Sequence, residues 1–200
     1  MRYLLFGASI TFGETDFENG GWSGHLRKHL DTKENHCFFH NLAISGNTSK
    51  DILNRIEPEA KARLRNKPKE DWTMFICVGT NDSRLENNEK KVSEEEYKDN
   101  LTKILKIAKN LVGNVILVGL SPVIEDKCNP FKGKIYFLNE RIKIYDNIMK
   151  DCAKDEEISH IEIFSKFENK DNLNELYDDG LHPNRKGHLE IFNIIKNFLE

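Results

Sequence analysis

The sequence predicts an α/β fold, a three-layer α/β/α sandwich built on a five-stranded parallel sheet. Three observations predict it. Short apolar runs alternate with longer segments of helical periodicity, the pattern of successive βαβ units. The apolar runs show little in-and-out alternation, as strands covered on both faces should. The segments that follow them carry glycine, serine and asparagine, and in an open parallel sheet ligands bind beyond the carboxyl ends of the strands.

The first run, Arg2–Phe6, stops at Gly7. Gly21–Leu30 then spaces Trp22, Leu26 and Leu30 along one face of a helix. His36–Ile44 reads as the second strand. Ser49–Leu64 follows as a helix with Ile52, Leu53, Ile56, Ala60 and Leu64 in one stripe. Thr73–Val78 is the third strand. In Glu94–Leu111 the stripe is Tyr97, Leu101, Ile104, Leu105 and Ala108, with Ser93 as N-cap and Glu96 positioned for a capping box. Asn114–Leu120 is the fourth strand. Ile135–Ala153 reads as a helix through Phe137, Leu138, Ile142, Tyr145 and Met149. His160–Phe164 is the fifth strand, and Arg185–Leu199 the last helix, with Leu189, Phe192, Ile195 and Leu199 on its apolar face. Right-handed crossovers between such units give the strand order 2-1-3-4-5. A chain of 200 residues fits one domain spanning residues 1–200.

Composition narrows the function. A hydrophobic content of 38% with 32% charged residues describes a water-soluble globular chain. The net charge of −3 gives no basic footprint for nucleic acid. The mixed-sign runs Glu59–Lys69 and Glu86–Lys98 read as solvated helix faces. The cysteines, Cys37, Cys77, Cys128 and Cys152, form no C-x-x-C pair; Cys37 and Cys77 fall in apolar runs and read as buried thiols. No run has the length of a membrane span and no secretory leader is visible. Glycosylation sequons begin at Asn47, Asn81 and Asn100, but a glycan at Asn47 or Asn81 would block the crevice. The expectation is therefore a cytoplasmic protein without membrane or nucleic-acid partners. Metal-ligand spacing, the Gly-x-Gly-x-x-Gly fingerprint and the P-loop pattern are all missing, so no cofactor or metal is expected. His25, His29, His36, His40 and His160 lie away from the sheet's carboxyl edge, and His188 within the last helix is expected to face elsewhere. The sequence does not fix the oligomeric state.

Four short segments carry chemistry. In Gly7-Ala8-Ser9, the glycine permits a sharp turn and the alanine leaves the Ser9 hydroxyl uncovered; taken alone, Ser9 is equally a helix or turn cap. Gly46 closes the second strand and is able to aim its N–H into the crevice, or is an ordinary turn glycine. After the apolar third strand, Asn81 offers an uncharged side-chain donor suited to an oxyanion, or serves with Asp82 as a turn or cap residue. Asp179 and His182, three apart, share a face if they lie on one helical turn. There the carboxylate would fix the imidazole tautomer and leave the other nitrogen as a base. Asp178, four residues from His182, is an alternative partner. Pro183 anchors the start of the last helix.

In order and spacing, Gly7-Ala8-Ser9, Gly46, Gly79-Thr80-Asn81-Asp82 and Asp179-Gly180-Leu181-His182 resemble the sequence blocks of the SGNH hydrolases, also called GDSL-type lipases or acylhydrolases. The likeness runs from the first strand to the last helix. It implies a flavodoxin-like sheet carrying a serine esterase. Ser9 would be the nucleophile, His182 the general base and later acid, and Asp179, rather than Asp178, its orienter. The oxyanion hole would come from the Ser9 N–H, the Gly46 N–H and the Asn81 side chain. The family usually has Asp where this chain has Ala8; that position is not the triad acid, so the proton relay survives, while the turn presenting Ser9 loses a carboxylate.

Pocket walls are expected from Phe12–Trp22, Asp82–Val92 and Ser121–Tyr136, which mix Phe12, Phe17, Phe131 and Tyr136 with Glu14, Asp16, Glu125 and Asp126. No long apolar stretch lines a tunnel for a fatty chain. A small-molecule ester with a short, acetyl-type acyl group on a polar alcohol or sugar is therefore the expected substrate. The competing readings are a catalytically weak or inert ligand-binding module on the same fold, an acyltransferase sharing the acyl-enzyme, and, on fold analogy alone, a flavin-binding protein.

Overall fold

The computed structural model, which describes residues 1–34, 37–65 and 67–200, is organised around its first strand. β1 (Arg2–Gly7) pairs in parallel with β2 (Phe38–Asn41) on one side and β3 (Trp72–Cys77) on the other. β4 (Asn114–Val118) and β5 (Ser159–Ile161) extend the sheet in the order β2-β1-β3-β4-β5, all parallel. Alternate residues of a strand face opposite sides of a sheet. Leu4, Phe6, Met74 and Ile76 accordingly point to one layer, where α2 (Ser49–Leu64), α3 (Glu94–Leu111) and α4 (Asn139–Asp155) supply Ile52, Ile56, Ile104, Leu105, Ile142 and Met149. Tyr3, Leu5 and Phe75 point to the other, where α1 (Gly21–Glu34) and α5 (Arg185–Leu199) supply Trp22, Leu26, Ile191 and Ile195. Each fully buried side chain of this kind contributes about 1.5–3 kcal/mol. Among the described residues no helix is long and apolar enough to cross a membrane.

The differences from the sequence reading have local causes. The predicted strand His36–Ile44 begins at a residue outside those described, and β2 itself covers only Phe38–Asn41. It is an edge strand, so Phe38 and Ile44 remain exposed instead of buried on both faces. Cys37 and Cys77 are likewise only partly buried. The helix expected over Ile135–Ala153 starts at Asn139. Its first residues, Ile135–Tyr136, form a short strand against Leu85–Glu86, and Phe137 is held extended by both ends of the Asn129 amide, at 2.7 and 2.8 Å. The run Glu86–Lys98 opens as a hairpin, not a helix, because Asn87 and Asn88 both take left-handed φ values (53° and 66°) between Leu85–Glu86 and Glu89–Lys90. Asparagine tolerates that conformation in tight hairpin turns. β5 ends at Ile161, and Phe164 opens a helical turn, Phe164–Glu168. Ser93 does cap α3, accepting from the Glu96 N–H at 3.1 Å.

Asp146 ties α4 to the end of β4. Its buried carboxylate accepts the Leu120 N–H at 2.7 Å. Burial pushes its carboxyl up to about 6, against the pull of that hydrogen bond. The folded state therefore holds a proton that the unfolded chain has already released, and the site's contribution to stability declines as pH rises from about 4 to about 6. Asp146→Asn keeps an acceptor for Leu120 and cannot ionise. In urea titrations its stability relative to the wild type should rise by a few kcal/mol between pH 4 and pH 7; parallel stability profiles for the two proteins would refute this account.

Candidate active site

The loops after β1, β2, β3 and β4 and the segment before α5 meet over a cavity of about 320 Å³ at the carboxyl end of the sheet. Ser9, Gly46, Asn81, Leu181 and His182 all line it. Ser9 opens a single helical turn, Ser9–Phe12, directly after β1. Its hydroxyl lies 3.1 Å from Nε2 of His182. His182 is buried, 7% exposed, and its Nδ1 donates to Oδ2 of Asp179 at 2.7 Å. An ionised carboxylate only accepts hydrogen bonds, so the proton of the neutral ring sits on Nδ1. Nε2 is then free to accept from the Ser9 hydroxyl.

The spacing of Asp179 and His182 was expected to act through a helical turn; it acts instead through a side-chain-to-backbone turn. Oδ1 of Asp179 accepts the N–H groups of Leu181 (2.8 Å) and His182 (2.7 Å), folding the segment back on itself. Gly180 makes that fold possible. It adopts φ +83°, and a Cβ there would lie 2.6 Å from Cβ of Lys127 and 2.8 Å from the Cys128 nitrogen. Burial pushes the Asp179 carboxyl up, but the His182 ring and the His182 and Leu181 amides outweigh it and hold the group below the usual carboxylate range. Asp178 is turned away, accepting from the Asn184 amide at 2.8 Å.

The other predicted residues converge on the same cavity. Gly46 has φ +84°, with open space within 4 Å of where a Cβ would stand. Asn81 is buried; its Nδ2 donates to the Asn47 carbonyl at 3.1 Å and its Oδ1 faces Nη1 of Arg84 at 3.4 Å. These two contacts fix which end of the amide is the donor. Asp82, beside it, accepts the Ser49 N–H at the start of α2 (2.9 and 3.1 Å), locking the Gly46 loop to the Asn81 loop. Burial raises the Asp82 carboxyl to about 6, against the hydrogen bonds from Ser49.

Three further residues were not assigned from sequence. Arg84 lines the cavity behind Asn81. Glu14, expected only as part of a wall, brings Oε2 to 3.3 Å from His182 Nε2. His188, expected to face elsewhere, is fully buried: its Nδ1 accepts the Trp22 N–H at 3.2 Å and its Nε2 donates to the Glu14 carbonyl at 3.0 Å. Burial depresses its basicity, in keeping with a neutral ring in that bridge. The signal for Glu14 was its place just after Gly13 in the loop that leaves Ser9; nothing in the sequence pointed to the His188 bridge. The expected walls are also reduced. Phe131 lines the cavity, whereas Phe12 and Phe17 are exposed outside it and Glu125 accepts the Asn139 N–H at 2.7 Å.

A family model described as the GDSL-like lipase/acylhydrolase family matches residues 5–189. A human protein named isoamyl acetate-hydrolyzing esterase 1 homolog is 29% identical over 211 residues, covering 100% of this chain and 81% of the relative. Among solved structures, a lipase/acylhydrolase from Enterococcus faecalis superposes with a TM-score of 0.76 at 21% identity, over 99% of this chain and 94% of that one. A catalytic mutant of Axe2, an acetylxylan esterase from Geobacillus stearothermophilus, gives 0.75 at 21% identity, over 98% and 92%.

Gly180→Ala tests the turn that carries His182. A methyl group there would collide with Lys127 and Cys128, and should shift the imidazole while leaving the sheet in place. Such misplacement lowers turnover on the order of 100-fold. Far-UV circular dichroism should stay unchanged; full activity in the variant would show that the turn tolerates a side chain.

Proposed function

The chain belongs to the GDSL-like lipase/acylhydrolase family and is an ester-bond hydrolase; from that premise we propose that it cleaves short-acyl esters of polar alcohols or sugars through an acyl-enzyme on Ser9. The observation that carries this reading is the unbroken contact series Ser9 Oγ–His182 Nε2 (3.1 Å) and His182 Nδ1–Asp179 Oδ2 (2.7 Å). In the first half-reaction His182 takes the Ser9 proton as Oγ bonds to the acyl carbon, and the ring becomes an imidazolium held by Asp179. The negative charge that develops on the acyl oxygen faces the Ser9 and Gly46 N–H groups and the Asn81 amide. When the bond to the alcohol breaks, the alcohol oxygen takes the proton from Nε2. Water then repeats the sequence, releasing the acid and restoring Ser9.

Ala8 supports the same reading in a negative way. The residue contributes no side-chain cap to the Ser9–Phe12 turn, yet the Ser9 hydroxyl is still presented to His182. The size and lining of the cavity favour small substrates. Its volume, about 320 Å³, lies at the low end of ligand pockets, and its walls mix Leu120, Phe131 and Phe137 with Glu14, Arg84 and Asn81. The acetate ester in the name of the human relative points to the same acyl class.

Ser9→Ala should abolish hydrolysis of p-nitrophenyl acetate and labelling by a fluorophosphonate, with folding retained; wild-type-like turnover in that variant excludes the assignment. Asn81→Ala should lower kcat by about 10²–10³-fold, the usual loss for one oxyanion donor. Along a series of p-nitrophenyl esters kcat/KM should peak at short acyl groups; a maximum at long chains would contradict the proposed substrate class.

A further inference from the structure

Glu14 occupies a held position beside the reacting nitrogen, and the proposed ester chemistry of Ser9 and His182 gives that position a meaning. The loop that carries it is fixed from several sides. Gly13 ends the Ser9–Phe12 turn at φ +98°, where a Cβ would strike the Gly20 backbone at 2.4 Å. Thr15, a non-glycine residue, takes φ 75°, and its hydroxyl lies between the Pro183 and Glu14 carbonyls. The Glu14 carbonyl accepts from His188, and its N–H donates to the Ser9 carbonyl at 3.1 Å. A left-handed non-glycine residue is costly and persists only where the surroundings dictate it. The outcome of this bracing is that the Glu14 side chain lines the cavity, with Oε1 accepting from the Ser45 hydroxyl at 2.5 Å and Oε2 at 3.3 Å from His182 Nε2.

Among the described residues, Nε2 faces two polar side-chain atoms, Ser9 Oγ and Glu14 Oε2. During acyl transfer the departing alcohol oxygen must come within hydrogen-bond reach of Nε2 to collect its proton. Ser9 is then bonded to the acyl carbon, so the atoms adjoining the alcohol oxygen lie against Glu14. A carboxylate offers only acceptors, and a neutral alcohol meets it through a hydrogen-bond donor two carbons away from the ester oxygen. We propose that Glu14 is the specificity residue for the alcohol half of the substrate, selecting esters whose alcohol carries a hydroxyl on the neighbouring carbon, as monoacylated diols and sugars do. On binding, the carboxylate exchanges its approach to His182 for the substrate hydroxyl and keeps its hydrogen bond from Ser45.

Near-isosteric acetates test this. For the wild type, kcat/KM with 2-hydroxyethyl acetate should exceed that with propyl acetate on the order of 10-fold, carried mainly by KM, because a hydrogen bond to a charged group is at stake. 2-Methoxyethyl acetate, which has the oxygen but no donor, should behave like propyl acetate. 2-(Dimethylammonio)ethyl acetate carries a cationic donor at the same position and should also bind better than propyl acetate; an advantage shown by the cationic ester and not by the hydroxyl ester overturns the choice of a hydroxyl. Glu14→Leu should erase the preference for 2-hydroxyethyl acetate, and Glu14→Gln, a neutral acceptor, should restore part of it. A wild type that treats hydroxyethyl and propyl acetates alike overturns the proposal without any variant. So does a Glu14→Leu enzyme that slows on every ester by one common factor, since that would assign Glu14 to the imidazole. Cleavage of none of these acetates by the wild type would overturn the esterase reading itself, a result distinct from cleavage without preference.

Discussion

One carboxylate, that of Asp179, holds the site together. It satisfies three donors at once: the Leu181 and His182 amides on Oδ1 and the His182 ring on Oδ2. The backbone bonds shape the turn and the ring bond sets the tautomer, so folding the loop and preparing the imidazole are the same event. An imidazole that is 7% exposed needs partners for both nitrogens. Asp179 supplies one and Ser9 the other. Remove the carboxylate and the turn, the ring orientation and the buried donor all lose their partner together.

The remaining loops are pinned to this centre by polar contacts of similar economy. Asp82 joins the start of α2 to the turn after β3, which brings the Gly46 and Asn81 segments into a fixed relation. Arg84 and the Asn47 carbonyl orient the Asn81 amide from its two ends. Arg55 reaches from α2 to the Leu42 carbonyl at 2.7 Å and the Asn47 side chain at 2.8 Å, closing the exit of β2. The family's usual aspartate is missing at Ala8, and this network holds the neighbouring loops without it. Most of these bonds have a charged partner and net about 1.5–3 kcal/mol each, and together they also fix the loop geometry.

Much of this arrangement was legible in the sequence, and the parts that were not share a cause. The bounds of α2, α3 and α5 follow from their stripes and caps: Ser93 before α3 and Asn184 before α5 both accept amide hydrogens of the first turn. Ser9, His182 and Asp179 lie where short motifs follow strand ends or precede the last helix. Tertiary contacts overrode local pattern elsewhere. Ile135 and Tyr136 fit a helical stripe, but Leu85–Glu86 offered them a strand partner and Asn129 held Phe137 extended. The Asn87-Asn88 pair was a turn signal hidden inside a charged run. Asp179 and His182 meet through a local geometry other than the expected one, because a spacing of three serves a helical turn and a side-chain-capped turn equally well. The His188 bridge to Trp22 and Glu14 joins residues far apart in the chain, and no local pattern encodes it.

The separation of the two groups that meet over the cavity has a consequence for biosynthesis. Ser9 and His182 are 173 positions apart, so the hydroxyl leaves the ribosome well before the imidazole. The turn that carries His182 also rests on Ile124, whose N–H donates to the Gly180 carbonyl at 2.8 Å. A nascent chain can thus assemble its central strands while its serine is still an ordinary alcohol. Until the segment that carries His182 has been made and has folded against the sheet, the Ser9 hydroxyl has no imidazole beside it.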